Sequence, residues 1–442
     1  MLRNLIAFIV LILTTVTPLR QVHAELTLDV TSGVVEPVAI AIPDFQAKTP
    51  QYKELANKLP EVIRQNLDNS GLFKSLSRDS FIQPRDSLHK QGPRFPEWRA
   101  INSEALVSGK VLESENGKVR VEFRLFDVFG QKQLTGMAYT TKRNNWRRIA
   151  HLISDDIYSR ITGEDSYFDS RIVYVAKKAQ GKGMTKRLAI MDQDGHNHRY
   201  LTSGERLVLT PRFSPNAHKI TYLAYDNRKP RVYIYNLRTG EQRLLGDFPN
   251  MTFAPRFSPD GDKVIMSLAK HGNSEIYTMD LDSKETQRLT KNGAIDTSPA
   301  YSPSGERIVF ESDRGGSQQL YVMNADGSGN PKRITFGDGR YANPAWSPRG
   351  DLIAFTRIYD GKFYIGVIKP DGSGERLITS AYHVEGPSWS PNGRYLAYFK
   401  QEPTGARGEQ RQSELYAIDI TGYHKRKIPT PGNASDPSWS PL

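Results

Sequence analysis

Asp192-Gln193-Asp194-Gly195 opens like a calcium-binding loop, in which alternate carboxylates converge on one ion, but no glutamate closes it at the position such loops require. Two strand-like runs flank it, so it reads as a turn. His196 and His198 come nearest to a pair among the nine histidines. Zinc needs three or four convergent donors, and the spacing suits a solvated loop better. Gly327-Ser328-Gly329 and Gly372-Ser373-Gly374 have the composition of a phosphate cradle, yet neither leads into Lys-Ser/Thr or a helical pattern. The Gly-x-Ser-x-Gly turn of a serine hydrolase is absent. With no cysteine there is no thiolate chemistry and no disulfide. We assign no catalytic residue, metal or cofactor. Spacing alone leaves open a site assembled from separate blades, of sialidase or lactonase type.

The elements that hold these residues are set by a repeat. Phe213-Ser214-Pro215, Phe257-Ser258-Pro259, Tyr301-Ser302-Pro303, Trp346-Ser347-Pro348, Trp389-Ser390-Pro391 and Trp439-Ser440-Pro441 lie 44, 44, 45, 43 and 50 residues apart. That period corresponds to one four-stranded propeller blade. Most copies continue to Gly (Gly261, Gly305, Gly350, Gly393), which suits a type I turn. The first copy has Asn216-Ala217 instead, and a less tight turn is expected there. Short β-branched and aromatic runs follow each turn, as in Val264-Ile265-Met266 and Ile308-Val309-Phe310. The stretch Lys400 to Ser413 is longer than its counterparts and reads as a solvated loop.

Only three strand signals precede the first copy: Ile172 to Val175, Leu188 to Met191, and Arg199 to Thr202. Pro437-Ser438-Trp439 at the C-terminus supplies the missing innermost strand, so a six-bladed ring is predicted, clasped by pairing of the two ends without an open edge. Residues 37–165 differ. Val38 to Ile42 reads as a buried strand, and Tyr52 to Leu67 as an amphipathic helix in which Pro60 marks a kink or turn. Three β runs (Ala105 to Leu112, Lys118 to Val128, Gln133 to Thr140) and a closing helix, Asn145 to Ile161, complete an α/β domain. Gly163 to Phe168 is the joint, and the propeller occupies 166–442.

Residues 1–24 hold Arg3, an apolar stretch from Leu5 to Leu13 and a Val22-His23-Ala24 end. This is the pattern of a secretory leader cleaved between Ala24 and Glu25, with an apolar core too short to span a bilayer. An exported, cysteine-free chain suits a bacterial periplasm. The formal charge is +12, or about +10 once Arg3 and Arg20 leave with the leader. The basic residues are scattered, so solvated surface, and not nucleic acid, accounts for them.

In this order the parts resemble the TolB family, the periplasmic component of the Tol–Pal envelope system of Gram-negative bacteria. The likeness covers a leader, the extended segment Glu25 to Gly33, an α/β domain, six aromatic-Ser-Pro repeats and the Pro-Ser-Trp-Ser-Pro-Leu ending. The resemblance implies a non-enzymatic adaptor with an anticodon-binding-like α/β domain. Its propeller binds the lipoprotein Pal and its N-terminal segment binds the C-terminal domain of TolA, with other outer-membrane lipoproteins or porins as further candidates. It also implies roles in outer-membrane integrity, constriction at division and colicin import. No nucleic acid is expected, association with membranes is through partners, and the chain is expected to be a monomer. The rival reading is a secreted propeller enzyme acting on envelope glycans or peptides.

Residue patterns say where binding would occur. In segment 25–36, Leu26, Leu28 and Val30 alternate with Thr27, Asp29 and Thr31, so Glu25 to Val30 forms an amphipathic strand able to add to a partner's sheet edge. The bland alternative is that it lies on its own α/β domain; doing both would make it a switch. For Pal the expected surface is the channel mouth, where the loops leading into each innermost strand converge: Leu209, Thr210, Met251, Thr252, Ala254, Thr297, Tyr341, Ala342, His383, Glu385 and Ser435.

Overall fold

The first five Ser-Pro phrases close their hairpins by the same pair of backbone hydrogen bonds, from the residue three after the serine to its carbonyl and from the serine N–H to the carbonyl five residues on. In Ser390-Pro391-Asn392-Gly393 the Gly393 N–H donates to the Ser390 carbonyl at 2.9 Å, the Ser390 N–H donates to the Tyr395 carbonyl at 2.9 Å, and Ser390 Oγ accepts the Tyr395 N–H at 3.0 Å. In the computed structural model, which describes residues 26–28, 36–180, 183–227, 229–246, 252–270, 272–404 and 410–442, these hairpins build six four-stranded antiparallel blades. The leader, its cleavage site at Ala24 and Glu25, and Asp29, Val30 and Met251 lie outside the described residues.

Blade 1 is made by both ends of the chain. Its innermost strand, Asn433–Trp439, pairs with Arg171–Gln180, followed outward by Gly183–Asp192 and Arg199–Tyr200. The joint reproduces a hairpin that the chain does not connect: the Ser440 N–H donates to the Arg171 carbonyl at 2.8 Å and Ser440 Oγ accepts the Arg171 N–H at 2.9 Å. Closure by the C-terminal strand is therefore as the repeat predicted. Blades 2 to 6 begin with the innermost strands Leu207–Phe213, Thr252–Phe257, Asp296–Tyr301, Arg340–Trp346 and His383–Trp389.

Two local expectations fail. The Asn216-Ala217 turn is as closed as the others, with the Ala217 N–H 2.9 Å from the Ser214 carbonyl; Ala217 simply adopts the left-handed conformation, φ 54°, that Gly takes elsewhere. Asn216 Oδ1 reinforces it by accepting from Ser214 Oγ at 2.8 Å and from the His218 N–H at 3.1 Å. The stretch Lys400 to Ser413 is no loop over most of its length. Tyr395–Thr404 and Gln410–Asp419 pair in register out to Thr404 opposite Gln410, so the extra residues lengthen a hairpin.

In the α/β domain the sheet runs Phe73–Ser75, Val38–Ala41, Ala105–Glu113, Lys118–Asp127, Lys132–Lys142, parallel across the first three strands and antiparallel thereafter. Helices α1 (Lys53–Ser70) and α4 (Trp146–Thr162) bury Leu59, Ile63, Leu67, Ile153, Ile157 and Ile161 in the main core. The short α2 (Arg85–Gln91) and α3 (Phe95–Ala100) place Leu88 and Trp98 in a separate core with Leu106, Phe126 and Val128. Helix α1 runs through Pro60. A proline has no N–H for the carbonyl four residues back, and here that carbonyl, of Ala56, accepts the Phe45 N–H at 2.9 Å.

The two domains share one core. Tyr167 of the joint packs on Phe168 (4.4 Å between ring centroids), on Tyr395 of blade 6 (4.7 Å) and on Trp439 (5.8 Å). Tyr395 Oη donates to the Ser70 carbonyl at the end of α1, at 2.7 Å. The joint is pinned to α4 by Asp155, whose two carboxylate oxygens accept the N–H groups of Phe168 (2.7 Å) and Asp169 (3.0 Å). Desolvation outweighs these bonds and raises Asp155 to about 6 from an ordinary 3.8.

The folded chain thus holds this proton more tightly than the unfolded one. The stability this contributes is fully present below pH 3.8 and is lost as pH rises through about 6. The shift corresponds to about 3 kcal/mol. Urea titrations of wild type and Asp155→Asn should show the wild-type advantage shrinking by roughly that amount between pH 4 and 6.5 and flat above. An advantage that grows with pH would mean that the two N–H bonds outweigh the desolvation.

Candidate partner-binding surfaces

Leu26 to Leu28 lie on the α/β domain. The Leu28 N–H donates to the Ile161 carbonyl in the last turn of α4 at 2.8 Å, and the Leu26 N–H to Asp127 Oδ2 at 3.2 Å. Leu26 and Leu28 are half-buried against the main core while Thr27 between them is exposed, the alternation read from the sequence. The segment therefore occupies its own domain in this conformation, spending its apolar face there.

The described residues among those expected at the channel mouth are not on loops but inside the innermost strands, each of which carries a β-bulge. The register shifts between Leu209 and Arg212, Thr297 and Ala300, Ala342 and Ala345, Glu385 and Ser388, and Ser435 and Ser438. In these five strands the residue before the proline takes a left-handed conformation: Thr210 (φ 45°), Ser298 (52°), Asn343 (51°), Gly386 (68°) and Asp436 (51°). A bulge of this kind bends the strand and redirects its side chains at the narrow end of each blade, which is why the segments looked loop-like in sequence.

The mouth side chains divide by exposure. Leu209, Thr210, Thr297, His383 and Glu385 are half-buried and reach the surface. Tyr341, Ala342 and Ser435 are buried and shape the mouth from behind. Tyr341 donates its hydroxyl to Glu375 Oε1 at 2.7 Å, and burial together with that carboxylate raises its pKa. His383 Nε2 lies 3.3 Å from Glu385 Oε2, its ring packed on Phe363 (4.5 Å) and Phe399 (5.2 Å). The side chains of Thr252 and Ala254 are not described.

Sequence reading missed three exposed apolar groups on this side. Ile295 (50% exposed) and Tyr382 (47%) immediately precede innermost strands, and Phe336 (71%) lies on the turn before Arg340, under the guanidinium of Arg333 at 5.0 Å. They form apolar points around the mouth, the kind of group that anchors a partner. Their signal was available: each stands one to four residues ahead of a strand already located.

Behind this face, buried carboxylates stiffen the mouth. Glu311 accepts from the Asn343 N–H (2.5 Å), Gln318 Nε2 (2.5 Å) and Thr297 Oγ1 (3.2 Å), tying blade 4 to blade 5; desolvation raises its pKa. Glu275 accepts from Arg288 (2.8 Å), Thr290 (2.7 Å) and the Asn292 N–H (2.9 Å).

Asp192 and Asp194 do form a turn, with Gly195 N–H donating to the Asp192 carbonyl at 2.9 Å, but they also meet His151 of α4. Its Nε2 is 3.6 Å from Asp192 Oδ2 and 3.8 Å from Asp194 Oδ2, and the three groups converge closely enough for a cation. The hydrogen bonds around them argue otherwise. Arg426 donates to Gln193 Oε1 (2.7 Å), Gln193 Nε2 to Asn66 Oδ1 (3.1 Å), and Asn66 Nδ2 to His151 Nδ1 (3.0 Å). A ring whose Nδ1 accepts carries its proton on Nε2, facing the carboxylates, so the nitrogen that would bind a metal is a donor. Asp194 is satisfied instead by Arg147 at 2.5 Å. The arrangement is a polar clasp between the domains.

Comparison with known proteins gives these surfaces a context. The sequence family described as TolB beta propeller domain matches residues 158–442, and the one described as TolB amino-terminal domain matches residues 26–134. A relative in Paramagnetospirillum magneticum (strain ATCC 700264 / AMB-1), named Tol-Pal system protein TolB, is 58% identical over 441 residues, covering 100% of this chain and 98% of its own length. The chain belongs to the TolB family. The crystal structure of TolB from Acinetobacter baumannii is similar along nearly the whole chain, with a TM-score of 0.81 and 28% identity over 95% of this chain and 100% of that one. A putative TolB from Agrobacterium tumefaciens aligns over 60% of this chain and 90% of its own, with 20% identity and a TM-score of 0.47. The overall fold is thus one this chain has in common with a solved TolB, and the match to the TolB amino-terminal domain begins at the docked residue Leu26.

Proposed function

We propose that this protein is a non-enzymatic periplasmic adaptor of the Tol–Pal system, binding Pal through the channel mouth and the C-terminal domain of TolA through residues 25–30. In this role it maintains outer-membrane integrity, supports constriction at division and can be exploited by colicins. The observation that carries the reading is whole-chain identity of 58% with a Tol-Pal system protein. The geometry supports it: one surface is rimmed by exposed Ile295, Phe336 and Tyr382, and one amphipathic segment is held on its own domain through Leu26 and Leu28.

The segment acts as a switch. Leu26 and Leu28 cannot face a TolA sheet edge and the α/β core together, so capture of TolA requires release from Ile161 and Asp127. Deleting residues 25–33 should abolish TolA binding in a pull-down with purified TolA C-terminal domain, keep Pal binding, and lower the thermal midpoint only slightly. A large loss of stability with TolA binding retained would reduce the segment to a structural brace. Replacing Met251, Thr297 and His383 together by Ala should weaken Pal binding at least tenfold with unchanged folding; unchanged affinity would place the Pal surface elsewhere.

A further inference from the structure

Where strand pairing resumes beyond each bulge, the innermost strands place one side chain apiece at the same level of the channel: Ser438, Arg212, Arg256, Ala300, Ala345 and Ser388. All six line a cavity of about 610 Å³ at the channel end that faces the α/β domain. Four of the six are small. The other two are arginines on adjacent blades, half-buried and side by side. Among the described residues Arg212 makes one hydrogen bond, from Nη1 to the Pro211 carbonyl at 2.7 Å, and Arg256 makes none, its Nε buried without a partner.

Asp165 also lines the cavity, and the acids whose charges act on the two arginines do not neutralise them. Glu311 acts on Arg256 at a distance, but its oxygens are taken by Asn343, Gln318 and Thr297, and burial favours its protonated form. Asp436 acts likewise on Arg212, with its own Oδ2 accepting the Ser435 hydroxyl at 2.7 Å. Desolvation first and the neighbouring Arg212 second lower Arg256 to about 9, which leaves it charged at neutral pH. Two like charges held side by side, partly desolvated and without an acid in hydrogen-bond reach, are costly to fold around, and the buried Arg256 Nε lacks an acceptor that a ligand would supply.

We infer that this end of the channel is an anion site, in which Arg212 and Arg256 together take one carboxylate or phosphate group. A guanidinium presents two parallel donors in a fixed plane that match the paired oxygens of such groups, and two of them can hold one anion from two sides. Ser388 and Ser438, on the same ring, offer hydroxyl donors to the remaining oxygens. The site is independent of the adaptor reading: nothing in it requires TolA or Pal. The anion can arrive as a small free ion or as a carboxylate on a peptide reaching into the channel.

The full mature chain would be titrated calorimetrically, at constant ionic strength, with inorganic phosphate and with the blocked peptide acetyl-Gly-Asp-Gly-amide. Wild type, Arg256→Gln and the double variant Arg212→Gln/Arg256→Gln would be compared. One saturable site is expected in wild type, at least tenfold weaker in Arg256→Gln and lost in the double variant. Binding of phosphate alone identifies a small-anion site, and binding of the peptide alone a peptide-carboxylate site. Without added anion the double variant should melt no lower than wild type, since it removes a repulsion. If the double variant folds poorly, Arg256→Lys, which keeps charge but loses the fork, should still bind several-fold more weakly. No saturable binding of either probe, or equal binding by wild type and variants, overturns the inference.

Discussion

A chain ending at Gly432 is expected to lose cooperative folding of the propeller, although it lacks only ten of 442 residues. Those residues form the innermost strand of blade 1, paired with Ile172, Val173, Val175, Ala176 and Lys177. Ala434 is 0% and Trp439 5% exposed, both within the core that spans the two domains. Trp439 Nε1 donates to Ser170 Oγ at 2.7 Å and its N–H to Ser388 Oγ of blade 6 at 2.9 Å, so one residue fastens the joint, the first blade and the last. Removal leaves Arg171–Gln180 as an unpaired edge facing the channel, a template for association with other chains. Thermal melts should lose their single transition, and size exclusion should show aggregates. The point variant Trp439→Ala isolates the packing part, with an expected cost of about 3–5 kcal/mol in urea unfolding. A truncated chain that melts like wild type, as a monomer, would mean that the ring is held by its blade-to-blade contacts alone.

What sequence conveyed about this protein depended on how far apart the interacting residues are. Ser-Pro turns, the strands that follow them and the helix containing Leu59, Ile63 and Leu67 are local patterns, and each lies where its pattern places it. Ring closure is a long-range feature, but it was legible because the repeat count left one strand missing at one end and one spare at the other. The family followed from the order of the same parts. Burial of Tyr341 was hidden, since a Tyr beside a small Ala342 reads equally well as interface or core; Glu375, 34 residues on, decides it. The relay from Arg426 through Gln193 and Asn66 to His151 is built of single bonds that span up to 233 residues of sequence, with no shared motif. Arg212 and Arg256 stood in plain view in Pro-Arg-Phe phrases, yet scattered charge gave no reason to single them out until the ring placed them at one level.

Replacing Arg394 by Met should destabilise the folded chain by about 3–5 kcal/mol, the usual consequence of leaving one member of a buried ion pair alone. Arg394 is 4% exposed and Asp419 0%, with Nε 2.8 Å from Oδ2. Burial works against the guanidinium charge, but Asp419 and its other anionic neighbours outweigh it and hold the pKa above the ordinary value. The pair does more than fill blade 6. Asp419 Oδ1 accepts the Thr421 N–H at 2.7 Å, closing a turn, while Arg394 Nη1 lies 3.6 Å from Glu164 at the joint between domains. Glu164 in turn accepts from Tyr158 of α4 at 3.2 Å and pairs with Arg349 of blade 5 at 3.1 Å. Loss of the guanidinium therefore strands a fully buried carboxylate and loosens the joint at once. Asp419→Asn keeps the acceptor for Thr421 and should cost less than Arg394→Met. The two substitutions combined should cost less than their sum by at least 1 kcal/mol, because neither leaves a charge for the other to neutralise. Since the pair is shielded from solvent, the coupling should be nearly the same in 0.05 and 0.5 M salt, roughly a threefold change in screening length. Additive costs in the urea cycle would show that Arg394 acts through Glu164 instead of Asp419.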